Sequence, residues 1–118
     1  PKVLCDTGHN AHGLAYVAEQ LRRSHEGGRL YCVVGFSGDK DIDAILALLP
    51  RDAYYLFTQA ASERALPVSE LAARAAAAGL DGEAVATVPE AVTRAKALAA
   101  PADTIFIGGS TFVVAEVL

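Results

Sequence analysis

The chain has 118 residues, 53% of them hydrophobic and 20% charged, with a formal net charge of -4. That length suits one domain with enough apolar surface for a packed core, and the composition excludes disorder, which needs low hydrophobicity and high net charge. An acidic balance without clustered Lys and Arg excludes a general nucleic-acid surface, and no apolar run approaches the roughly 18–20 residues that cross a bilayer.

Strand-like and helix-like segments alternate along the chain. The first apolar run, Val3-Leu4-Cys5, closes on Asp6-Thr7-Gly8-His9-Asn10. A helix is predicted over 11–23, with Leu14, Val17, Ala18 and Leu21 on one face at the 3.6-residue period, and Gly27-Gly28 ends that unit. The run over 30–34 is apolar throughout, as in a strand covered on both faces. A helix over 41–49 follows, with Ile42, Ile45, Leu46 and Leu49 on one side and Pro50 as its stop. Next come a strand over 53–58, a polar loop over 59–66 and a helix over 67–78, opened by Pro67 and ended by Gly79. A weak strand is predicted over 83–87 and a helix from Pro89 to about residue 99, before Pro101. The strand over 104–107 breaks into Gly108-Gly109-Ser110-Thr111 ahead of a last helix.

This order implies an α/β fold: a three-layer, Rossmann-like parallel sheet of about five strands with helices on both faces. Cys5 and Cys32 fall in predicted buried strands and are expected as free buried thiols. No signal-peptide pattern opens the chain, so a cytoplasmic monomer is expected. Residues 1–4 enter a strand uncapped and residues 113–118 stop within a helix, so the chain is expected to be one domain cut from a longer protein.

In an open α/β sheet, ligands bind at the carboxyl ends of the strands, where strand order reverses. Three loops there carry polar and glycine residues. In the first, the Asp6 carboxylate suits ribose hydroxyls, while Asn10 precedes a helix and serves equally as its cap. In the second, Lys40 offers a cation for a carboxylate or phosphate, or is simply solvated. In the third, Gly108-Gly109-Ser110-Thr111 places small residues before a helix, either as an anion site or as a cap by Ser110. No P-loop occurs anywhere. His9, His12 and His25 lack the partners of a metal site, and no Gly-x-Ser-x-Gly elbow supports nucleophilic catalysis.

Taken in order, these segments resemble one family. Leu4-Cys5-Asp6-Thr7-Gly8-His9-Asn10 is similar to the Asp-Gly-Ala-His-Asn segment that opens the C-terminal domain of folylpolyglutamate and dihydrofolate synthases, relatives of the Mur ligases. Val33-Val34-Gly35 through Asp39-Lys40-Asp41, Tyr55-Leu56-Phe57-Thr58-Gln59 with Arg64-Ala65-Leu66-Pro67, and Ile105-Phe106-Ile107-Gly108-Gly109-Ser110 resemble its later strands and loops. Thr7-Gly8 and Gly108-Gly109 depart from the commoner Gly-Ala and Thr-Gly. The resemblance implies a Mur-ligase-type C-terminal, glutamate-binding domain over 1–118, without the N-terminal P-loop domain that holds ATP, Mg2+ and the folate or dihydropteroate. It implies that the terminal carboxylate of the folate is phosphorylated and that the L-glutamate amine then attacks the acyl phosphate. It matches Asp6 to an ATP contact and His9, Asn10, Lys40 and Ser110 to the incoming glutamate. No catalytic residue and no metal ligand is implied within this chain, which is expected to be inactive alone and to retain neither ATP nor Mg2+. It also implies that the first and fifth strands lie side by side. A stand-alone receiver-like or nucleotide-binding module is the alternative, and a ligase for a cell-wall amino acid is disfavoured by the missing Asp-Asn-Pro-Arg signature.

Overall fold

The computed structural model describes residues 1–5, 19 and 28–117. Its strands are β1 (Lys2–Cys5), β2 (Leu30–Val34), β3 (Tyr54–Phe57), β4 (Asp81–Ala84) and β5 (Thr104–Gly108). The helices among the described residues are α1 (Ile42–Leu48), α2 (Val68–Ala77), α3 (Val88–Leu98) and α4 (Thr111–Ala115). The helix predicted over 11–23 lies outside the described residues except at Glu19, which is helical.

All strand pairings are parallel, in the order β1-β5-β2-β3-β4. β2 and β5 are buried along their whole length, which explains their unbroken apolar sequence: each face is covered by helices. On one face Cys32, Val34, Tyr55, Phe57 and Phe106 pack with Ile42 and Leu46 of α1 and Leu71 and Ala75 of α2. On the other, Tyr31, Val33, Leu56, Ile105 and Ile107 meet Val88, Ala91 and Ala95 of α3 and Val113 of α4. The alternation of strand residues between the two sets is the period of two at work. Each large aliphatic buried here contributes roughly 1.5–3 kcal/mol. Ala75, Ala91 and Ala95 contribute less individually, but their small size lets α2 and α3 lie close on the sheet.

The helix ends follow local chemistry. The Asp41 carboxylate accepts from Ala44 N at the start of α1, and Thr87 Oγ1 accepts from Glu90 N at the start of α3. Pro67 has no side chain with which to cap α2, and Gln59 Oε1, from the preceding loop, accepts from Val68 N at 2.7 Å instead. At the other end of α2, Leu80 N reaches Ala75 O and Gly79 N reaches Ala76 O. With Gly79 at φ +84, this is a Schellman ending.

Three expectations need correction. The fourth strand is Asp81–Ala84 and not 83–87: Asp81-Gly82 pairs with Tyr54-Tyr55, and Thr87 is spent on capping α3. Cys5 is exposed while Cys32 is buried, because β1 is an edge strand paired only with β5 among the described residues. The last helix ends at Ala115, and Glu116 and Val117 turn.

Candidate functional site

The register brings the carboxyl ends of the strands to one level. Cys5 lies opposite Ile107, Val34 opposite both Gly108 and Phe57, and Phe57 opposite Ala84. The chain therefore leaves β1 beside the end of β5, as the resemblance implied. From β2 the chain proceeds to α1 on one face of the sheet, and from β5 it proceeds to α4 on the other. Adjacent strands whose exits diverge to opposite faces define the topological switch point. Here it is the crevice between β2 and β5, flanked by the Gly35–Lys40 and Gly108–Ser110 turns.

Backbone contact shapes this crevice. Gly109 has φ +93, and a Cβ there would stand 2.5 Å from Gly35 O and 2.9 Å from the Phe36 ring. Only glycine fits, on both conformational and steric grounds. The Gly35 N–H reaches Gly108 O at 3.5 Å, a long bond beside the 2.9 Å from Thr58 N to Val34 O one strand over. Ser110, at the mouth of the turn, is buried. The helix behind it, α4, has five residues.

The loop after β2 is fastened to the loop after β3. Gly38 N donates to Arg64 O at 2.7 Å, Leu66 N donates to Phe36 O at 2.9 Å, and Ser37 bridges Ala65 in antiparallel fashion. Glu116 Oε2 accepts from Ala61 N at 2.7 Å, tying the end of α4 to the same loop. Lys40 and Arg64 are both exposed on these joined loops. Of the other described cations, Arg74 pairs with Asp43 and Glu70, Arg94 pairs with Glu83, Lys2 and Arg29 sit at the amino ends of β1 and β2, Arg51 precedes β3, and Lys96 lies in α3.

Of the residues singled out in the sequence, Lys40 and Ser110 flank the crevice in the loops after β2 and β5. Asp6, His9 and Asn10 lie outside the described residues. Two residues were passed over. Arg64 sits in a polar loop that entered the resemblance without a role of its own, and its backbone bond to Gly38 depends on tertiary structure. Thr58, directly after β3, is fully buried, and its Oγ1 has no hydrogen-bond partner among the described residues.

The perturbed groups lie elsewhere. Burial pushes the Cys32 thiol and the Tyr55 phenol far up, so neither serves as an acid or base near neutrality. Tyr54 is raised by desolvation and then by its bond to Glu83 Oε1 at 3.0 Å. A depression of about 420 Å³ follows α3 along Pro89, Glu90, Thr93, Arg94 and Ala97 and includes none of the strand-end residues. Among the described residues no cluster of three or more His, Cys, Asp or Glu side chains could hold a metal ion, and no helix is long and apolar enough to cross a membrane.

A doubly wound sheet with a glycine-lined switch point is an architecture shared by many functions, and the comparisons narrow it. The chain belongs to the family described as Mur ligase, glutamate ligase domain, whose model matches residues 1–111. Within it, the likeness is to folylpolyglutamate and dihydrofolate synthases. The dihydrofolate synthase/folylpolyglutamate synthase of Escherichia coli K12 is 29% identical over 120 aligned positions, covering 100% of this chain and 27% of that protein. The solved structure of E. coli FolC in complex with DHPP and ADP superposes with a TM-score of 0.82 at 28% identity, covering 99% of this chain and 28% of that one. A bifunctional folylpolyglutamate synthase/dihydrofolate synthase with Mn, AMPPNP and L-glutamate bound gives 0.77 at 26%, covering 95% and 27%. The chain thus spans little more than a quarter of the length of these relatives.

Proposed function

We propose that this chain is the C-terminal, glutamate-binding domain of a folylpolyglutamate synthase, alone or bifunctional with dihydrofolate synthase, which works by closing over an N-terminal P-loop domain. The observation that carries the reading is the crevice between β2 and β5, where the Lys40 loop and the Ser110 turn face one another at the strand ends. The relative solved with AMPPNP, Mn and L-glutamate bound supports it, as does the one solved with DHPP and ADP.

In the reaction, the folate carboxylate attacks the γ-phosphorus of ATP, giving an acyl phosphate and ADP. The glutamate amine then attacks the acyl carbon, phosphate leaves, and an amide forms with loss of the amine proton. The nucleophile carries two carboxylates that take no part in bond formation and must be held by cations. Lys40 supplies one, and Arg64 supplies another; the backbone bond between their two loops supports that pairing. Ser110, with His9 and Asn10, orients the amino acid, and Asp6 holds the ATP ribose. Positioning of this kind lowers the barrier by fixing the attack geometry and excluding water. Mg2+ is assigned to the P-loop domain, as the resemblance implies. The enzyme is read as a monomer working in the cytoplasm.

The test is ligation by the full-length ligase that this reading requires. Lys40→Ala and Ser110→Ala should each raise the KM for L-glutamate about tenfold or more, with the KM for ATP little changed. The 118-residue chain alone should show no ligation. Normal glutamate KM in both variants would remove the crevice as the amino-acid site.

A further inference from the structure

A hydroxyl with no partner in a fully buried position is uncommon in a native fold and calls for a cause. Thr58 is such a case: its relative exposure is 0% and Oγ1 has no hydrogen-bond partner among the described residues. Its backbone does not explain it, since the N–H is well bonded to Val34 O at 2.9 Å. Valine has the same shape and the same preference for a strand end, and would fill the site without an idle polar group. In the present arrangement, then, threonine is the poorer residue.

Its position suggests where the hydroxyl is used. Thr58 follows Leu56 by two residues and so shares the face of the sheet covered by α3 and α4. Its carbonyl lies 2.7 Å from where a Gly35 Cβ would stand, and Val113 Cγ2 of α4 lies 3.1 Å from the same point. Gly35 in turn touches Gly109 and makes the long 3.5 Å bond to Gly108. The Thr58 backbone therefore packs against Gly35, whose N–H makes the long bond across the crevice, and α4 beside it is held at its far end by the Glu116–Ala61 bond.

We infer that Thr58 is a positioning residue whose hydroxyl gains its partner when the crevice is occupied, as the Gly108–Ser110 turn and α4 settle over Gly35. The inference rests on the reading of the crevice as the glutamate site. Thr58 acts through the turn and not on the ligand. A hydroxyl that is paired only when the crevice is occupied shifts the equilibrium toward occupancy, because only differential stabilisation moves such a balance.

The experiment compares Thr58→Val and Thr58→Ser. In the 118-residue chain, Thr58→Val should raise the thermal midpoint by about 3 °C or more, through loss of an unpaired buried hydroxyl. In the full-length ligase it should raise the KM for L-glutamate about fivefold or more with kcat within about twofold. Thr58→Ser keeps the hydroxyl and should restore the glutamate KM. A Val variant no more stable than the parent overturns the inference, because the hydroxyl would then be paired already. So does a stabilised Val variant with unaltered glutamate KM, which would make the hydroxyl idle. Absence of ligation by the unmutated full-length enzyme is a different result: it sinks the reading of function itself.

Discussion

Asp103 uses both carboxylate oxygens on backbone donors, and it lies at the end of the sheet remote from the crevice. It is buried, and its two carboxylate oxygens accept from Ala100 N and Arg29 N, each at 2.6 Å. These two backbone bonds, the one from Ala100 foremost, hold its pKa below the ordinary aspartate value. The native state therefore binds the proton less readily than the unfolded chain. The stabilisation is complete above the unfolded value of about 3.9 and is lost as pH falls through the lower native one. Asp103→Asn keeps one acceptor and turns an amide N–H toward the second donor. It should cost about 1–3 kcal/mol at pH 7 and flatten the acid limb of stability against pH. Urea melts at pH 7 and pH 3 would check both: the difference between parent and variant should shrink at the lower pH.

At the scale of the element, β4 shows how a strand can be hidden. Asp-Gly is a turn signal by composition, yet Asp81-Gly82 pairs in register with Tyr54-Tyr55. A Cβ on Gly82 would stand 2.3 Å from Tyr55 O and 2.9 Å from the Phe57 ring, so the glycine is there for close approach to β3. Gly82→Val, favourable by strand propensity alone, should instead destabilise the chain by about 2 kcal/mol or more through overpacking, read as a lowered urea midpoint. Elsewhere the sequence was plain. The limits of β2, α1 and α3 were legible to within a residue or two because Asp41, Pro50, Pro89 and the unbroken apolar run act locally. The burial of Cys5 was misjudged because being at an edge is a property of strand order, which no local window contains. The same holds for the candidate site. Lys40 and Ser110 were readable as polar residues at strand ends, whereas Arg64 and Thr58 matter through the fastening of two loops and the covering of one face, both tertiary facts.

For the whole molecule, the arrangement that matters is the placement of β5 between β1 and β2. The residues nearest the two ends of the described chain thereby form the centre and one margin of the sheet, and β2 and β5 are joined along five register pairs from Leu30–Thr104 to Val34–Gly108. The candidate crevice exists only because of this insertion. Such pairings close long loops, and the entropy of closure must be met before any of the contacts form. A chain emerging from the ribosome cannot complete its central layer until the hundredth residue and several more are free. Until then β2 has one bare flank and β1 lacks β5, its partner among the described residues. Truncation after Ala102 should therefore leave a collapsed, aggregation-prone chain without a cooperative melt, and ribosome-arrest proteolysis should find protection appearing abruptly once Gly108 has cleared the exit tunnel.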